Sequence, residues 1–215
     1  MAVLNEEQEM LRDMAREWAT EKSPVTEFRK VRRDGAPEAY DPAAYATMAE
    51  MGWTGVIIPE EHGGSDFGFM SAGLVVEELG KTLTASPLGM NTVAASAIVL
   101  GGSDEQKAKW LPKLASGEAI ATLAVDEGPI HDPSKIETSV SGGKLSGTKA
   151  FVPEALGAGL FVVAAKDGLY LVEKGDGVSL ATRKLTDQRS HADVTFEGAA
   201  ADELADGGDG LLDDV

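Results

Sequence analysis

Residue spacing that announces chemistry is scarce in this chain. His62, His131 and His191 are scattered, and none has a second ligand at metal-site spacing. There is no cysteine, which excludes disulfides and thiolate metal sites. No serine lies in a GxSxG turn, and the GxGxxG, P-loop and HExxH patterns are missing. Adjacent carboxylates at Glu60-Glu61 and Glu77-Glu78 are the candidates for acid–base work. The first pair falls in a turn. In the second, helical spacing turns one residue to the core and one to solvent. Neither pair demands proton transfer. Taken one by one, the residues describe an acidic protein that binds a small molecule or a partner.

The elements that must position any site change character midway. Asn5 with Gln8 three residues on reads as a capping box, followed by Met10, Leu11, Met14 and Trp18 as one apolar helical face. Phe28 to Arg33 reads as a short basic helix, and Asp41-Pro42 as a cap with proline at the first helical position. Ser71 to Leu83 and the mostly apolar Leu88 to Leu100 read as further helices, the second buried on most sides. Ser103 to Gln106 is a second capping box. Beyond Gly117, short apolar runs at Ala119–Val125, Leu160–Ala165, Tyr170–Glu173 and Asp193–Phe196 alternate with Gly-rich turns. Asp167-Gly168 is a hairpin signal. Short strands at close spacing favour an antiparallel sandwich or barrel. The expected fold is α+β: an all-α domain over 1–117, a β-domain over 118–198 and an acidic connecting segment over 199–215.

The formal net charge of −17 argues against nucleic acid, whose binding needs clustered Lys and Arg, and against an anionic membrane surface. Asp202, Glu203, Asp206, Asp209, Asp213 and Asp214 come with no basic residue among them. Such a run is a solvated face or a segment that docks on a basic surface. No signal peptide is visible, and every apolar stretch breaks well before the ~20 residues that span a bilayer. With no disulfide, the expected location is the cytoplasm.

Several stretches, in order, resemble the acyl-CoA dehydrogenase family. They are Gly52-Trp53 through Pro59-Glu60-Glu61-His62-Gly63-Gly64, then Glu77-Glu78-Leu79-Gly80-Lys81, then Trp110-Leu111-Pro112-Lys113-Leu114-Ala115-Ser116-Gly117-Glu118. In the second half they are Leu145-Ser146-Gly147-Thr148-Lys149-Ala150-Phe151-Val152 and Val194-Thr195-Phe196-Glu197-Gly198. Each alone is weak, but the order and spacing cover nearly the whole chain. The resemblance implies a helical domain, a middle β-domain and a C-terminal four-helix domain. FAD would lie between the last two. A carboxylate of the C-terminal domain would take the α-proton of an acyl-CoA thioester, and a hydride would pass to flavin N5. The present residues hold no counterpart of that last domain or of its base, so no catalytic residue is assigned. An oligomer with a like subunit is implied, and an electron-transfer flavoprotein is a candidate acceptor.

By the same resemblance, Val125, Asp126 and Glu127 would line one cofactor edge, and Phe151, Val152 and Pro153 the other. His131 and Asp132 stand near the positions of a Gly-Ser pair that meets the substrate. The departures matter. Asp126 stands where the family has Thr. Pro153 stands where it has Thr or Ser, and proline has neither hydroxyl nor N–H. Reduced flavin carries negative charge at the ring, so an ionised Asp126 would oppose it by roughly 1–4 kcal/mol at ~4 Å. Losing one well-placed donor costs on the order of 100-fold in rate. Lys149 is expected to pair or snorkel at the surface, and Phe151 either to face the flavin or to fill the β-core. Two functions follow: an acyl-CoA dehydrogenase, or a non-catalytic subunit with a degenerate flavin site.

Overall fold

The computed structural model describes residues 4–35, 38–187, 189–208 and 210–215. Asp209, part of the acidic run, lies outside them. α1 (Glu6–Lys22) starts at Asn5, whose side chain accepts from the Gln8 N–H while Gln8 reaches back to the Asn5 N–H. This satisfies two of the donors that a helix start leaves open. The expected apolar face is shifted. Met10 and Met14 are 62% and 43% exposed, and the buried stripe is Ala15, Trp18 and Ala19, with Leu11 packed beside it. Small alanines let α1 lie against α4 (Gly68–Lys81), where Arg16 bonds Glu78. Glu78 is only 2% exposed and also accepts from Lys81, while Glu77 is exposed.

α2 (Val25–Asp34) and α3 (Pro42–Glu50) follow, the latter capped by the Asp41 side chain on the Ala43 N–H. Residues 53–67 fold back on themselves through the N–H groups of Ser65, Asp66 and Phe67, which donate to Gly55, Ile58 and Val56. Gly64 allows that return, since a Cβ there would lie 2.0 Å from the Ile58 carbonyl oxygen. Trp18 and Trp53 meet edge to face at 5.5 Å. α5 (Leu88–Gly101) is buried, as its apolarity predicts, and α6 (Asp104–Ala115) opens on the Ser103 capping box.

The β-part is two four-stranded sheets. One is ordered β1 (Ala121–Ala124), β4 (Leu160–Ala165), β5 (Gly168–Glu173), β8 (Asp202–Glu203). The other is β2 (Ser139–Ser141), β3 (Lys144–Pro153), β7 (His191–Ala200), β6 (Val178–Arg183). Pairing is antiparallel except between β1 and β4, which run parallel. β4 is buried along its whole length. Its Leu160, Val162 and Ala164 join the core under α5 and α6, and Phe161, Val163 and Ala165 join the core between the sheets. The period of two in a strand divides them so. The helical and β-parts are knit by Asn91, whose Oδ1 accepts the Ala121 N–H at 2.9 Å.

Residues 199–208 and 210–215 are packed structure. Ala199 and Ala200 complete β7, β8 pairs with β5, and α7 (Leu211–Asp214) follows. Leu204 and Leu211 are buried in the core beneath α5. The Gln106 side chain donates to the Glu203 carbonyl at 2.8 Å, and the Asp206 N–H to the Gly101 carbonyl at 2.9 Å. Asp202, Glu203, Asp206, Asp213 and Asp214 face solvent. Among the described residues, no helix is long and apolar enough to cross a membrane.

Candidate functional site

The end of β1 and the end of β3 come together at one edge of the sandwich. The Ala150 N–H donates to the Asp126 carbonyl at 2.7 Å. Lys149 fixes the junction. It is fully buried, and its Nζ donates to the Val125 carbonyl at 2.9 Å and to Glu127 Oε1 at 2.8 Å. Its expected place at the surface is therefore wrong: an inward position on β3 puts it over the β1 end, where a carboxylate and a carbonyl await it. Glu127 also accepts the N–H groups of Glu137 and Thr138 at 2.7 and 2.8 Å, which closes the 127–138 loop. Burial acts to raise the Glu127 pKa, but the bonds from Lys149 and the loop outweigh it and hold the pKa at about 2. Burial pulls the Lys149 pKa down, against the pull of Glu127.

Asp126 turns its side chain outward to His131, Nδ1 to Oδ1 at 2.8 Å. Asp132 is set apart, bonded to Ser134 and Lys135 on an exposed turn. That turn, with Glu127 and Gly128, walls a shallow cleft of roughly 390 Å³. Among the described residues no group of three or more His, Asp or Glu could hold a metal ion.

On the β3 side, the ladder with β7 shifts register between Lys149 and Val152. This bulge sets Phe151 at φ +53°, a left-handed backbone that an aromatic residue rarely adopts. Its N–H donates to Asp193 Oδ1 at 3.1 Å, and the Arg183 guanidinium lies 5.2 Å from its ring centroid. Arg183 is in turn bonded to Asp193 and holds that carboxylate below its usual range. Phe151 is half-buried at the edge and takes no place in the β-core. The Val152 side chain points into that core. Pro153 pairs with His191, and its carbonyl accepts the buried Thr122 hydroxyl at 2.6 Å.

Of the residues singled out in the sequence, Val125, Asp126, Glu127, Phe151 and Pro153 are thus brought to one edge, and His131 joins them through Asp126. Arg183, Asp193 and Thr122 complete that edge without any spacing signal of their own. Asp193 reads in sequence only as the start of a strand. Glu154 is a further surprise: it is buried at φ +56° and bound through Oε1 to Nε and Nη2 of Arg189 at 2.9 and 2.6 Å. Burial raises its pKa, and Arg189 opposes the rise.

A flavin ring at this edge would need donors where its negative charge develops. The residues present do not fit that need. Asp126 offers an acceptor already paired to His131, Pro153 offers no donor, and one face of Phe151 is covered by Arg183.

Comparison with known proteins places the chain. Residues 5–118 match the acyl-CoA dehydrogenase N-terminal domain. An acryloyl-CoA reductase (NADH) of Anaerotignum propionicum is 34% identical over 80% of this chain and 47% of its own length. A (2S)-methylsuccinyl-CoA dehydrogenase of Cereibacter sphaeroides is 43% identical over 58% of this chain and 22% of its own length. Among solved structures, the Tcur3481-Tcur3483 steroid ACAD variant superposes with a TM-score of 0.87 at 29% identity, over 96% of this chain and 58% of that one. The chain spans about half the length, or less, of such relatives. With residues 5–118 matched by the family and 96% of the chain superposed on a steroid ACAD structure, the chain belongs to the acyl-CoA dehydrogenase family.

Proposed function

We propose that this chain is the helical and β-sandwich part of an acyl-CoA dehydrogenase-type subunit that holds no flavin at its own edge. It stands beside a flavin-bearing subunit of the same family, and the pair acts on an acyl-CoA thioester. The observation that carries this reading is the chain's own occupation of polar and aromatic positions along the edge. Asp126 Oδ1 is paired with His131, the Phe151 N–H with Asp193, one face of the Phe151 ring with Arg183 and the Pro153 carbonyl with Thr122. A flavin at this edge would meet a carboxylate at Asp126 and, at Pro153, neither a hydroxyl nor an N–H. A reducing, cysteine-free setting suits the cytoplasm, and an electron-transfer flavoprotein remains the acceptor for the flavin-bearing partner.

A second reading keeps flavin in this subunit. Phe151 and Val152 retain the family's aromatic and aliphatic pair, and the Glu127–Lys149 clamp holds the edge as a rigid support. Purified full-length protein decides between them. On the first reading it carries no flavin absorbance and does not quench added FAD, and Pro153→Thr with Asp126→Thr gains FAD affinity. Stoichiometric flavin in the unmodified subunit sinks the first reading. Full-length protein that stays flavin-free even with both donors restored leaves no flavin cleft at this edge at all.

A further inference from the structure

A second concavity lies between α2 and the turn from β6 to β7, with a volume of roughly 560 Å³, within the range of small-molecule sites. None of Val125, Asp126, Glu127, Phe151, Val152 or Pro153 lines it; Arg183, which covers Phe151, and His191, which pairs with Pro153, adjoin both places, but Arg32 and Lys184 take no part in the β1–β3 edge. Its apolar walls include Phe28 and Leu156, and its cationic groups include Arg32, Lys184 and Arg189. In a chain of net charge −17, a surface hollow with that sign is a local inversion. Arg189 is held in place by buried Glu154, which spends two of its N–H donors. Arg32 and Lys184 are exposed and have no ion-pair partner among the described residues. Glu38 is the opposing charge on the wall.

We propose that this cleft binds a free organic anion with an apolar body: a carboxylate or phosphate monoester whose head meets Arg32 and Lys184 and whose body lies on Phe28 and Leu156. Two unneutralised cations lining one cleft offer charge-assisted hydrogen bonds to the head. The apolar walls supply the burial that a bare inorganic anion could not use. Glu38 sets a direction, since the head must lie away from it.

The test is calorimetric titration of the full chain with decyl phosphate, decanoate and the neutral decyl glucoside. Decyl phosphate and decanoate bind at one site and decyl glucoside does not. Arg32→Glu with Lys184→Glu weakens both anions about tenfold or more, as loss of charge-assisted bonds requires. Both side chains are exposed and unpaired, so the fold should survive, and thermal unfolding verifies it. Glu38→Gln moves affinity the other way, tightening the anions by about two- to fivefold through lost repulsion. Anion affinity unchanged in the charge-reversed variant overturns the assignment, as does equal binding of the glucoside or no binding of either anion. Vesicles of phosphatidylcholine with phosphatidic acid separate the sources: the chain stays in the supernatant, and co-sedimentation abolished by the charge reversal would overturn a free ligand in favour of a lipid surface.

Discussion

Two carboxylates bracket the end of β3, and they are held in opposite ways. Glu127 has both oxygens engaged: Lys149 and the Thr138 N–H on Oε1, the Glu137 N–H on Oε2. Glu154 is bonded through Oε1 alone, to Arg189. The cations differ too. Lys149 is fully buried, whereas the Arg189 side chain is 46% exposed and its charge is screened by solvent. Burial raises the pKa of both carboxylates. In Glu127 fixed donors overcome it and the pKa falls to about 2, while in Glu154 burial prevails and the pKa rises. The opposite directions follow from both differences: Glu154 is the more deeply buried, and fewer rigid donors reach its oxygens.

The largest effect should come from breaking the rigid pair. Lys149→Met leaves Glu127 partly buried without its cation and the Val125 carbonyl without its donor. Removing one partner of a buried pair costs about 3–5 kcal/mol. Urea denaturation should show that loss with an unchanged slope. Adding Glu127→Gln to Lys149→Met should recover a good part of it, because the uncompensated charge is gone. A single-variant loss below about 1 kcal/mol would mean that the clamp does not hold the β1–β3 junction.

The next effect is a pH slope. The folded pKa of Glu127 is depressed, so its contribution is present above its unfolded value of 4.5 and is lost as pH falls toward about 2. The size is at most about 3 kcal/mol, from the shift between 4.5 and about 2. Stability measured between about pH 5 and pH 2 should fall more steeply in the unmodified chain than in Glu127→Gln. Parallel curves would show that Glu127 is not what the acid attacks.

How much of this was legible depends on whether the cause is local. The capping boxes at Asn5 and Ser103 are local chemistry, and both form. The bounds of β4 and the hairpin at Asp167-Gly168 follow from an apolar run and a turn dipeptide. Met10 and Met14 misled because α4 chooses the face of α1, and it chooses the alanine side. Ser139–Ser141 and Val178–Arg183 carry no apolar run because each borders solvent and is held by its neighbour strand. The parallel β1–β4 pair and the burial of Lys149 depend on residues tens of positions away. At the candidate edge, the family pattern pointed to Asp126, Phe151 and Pro153. It could not show that Arg183, Asp193 and Thr122 come to occupy their contacts, since these arrive from β6, β7 and β1.

The smallest effect belongs to the looser pair, and its sign sharpens the contrast. The folded pKa of Glu154 is raised, so its contribution is present below its unfolded value and is lost as pH rises through the folded one. Between those two values the folded chain binds the extra proton. Glu154→Gln keeps the shape of the neutral acid and should flatten a slope that runs opposite to that of Glu127. The substitution removes a group whose charged form burial disfavours, and a bond to a largely solvated arginine. The two nearly offset, so the change should be within about 1 kcal/mol. A loss of 3 kcal/mol or more would put Glu154 in the same class as Glu127 and would erase the distinction between fixed and mobile donors. The two slopes can be read from one set of unfolding curves on the single variants and the double. Additive slopes of opposite sign would show that Glu127 and Glu154 titrate as independent sites.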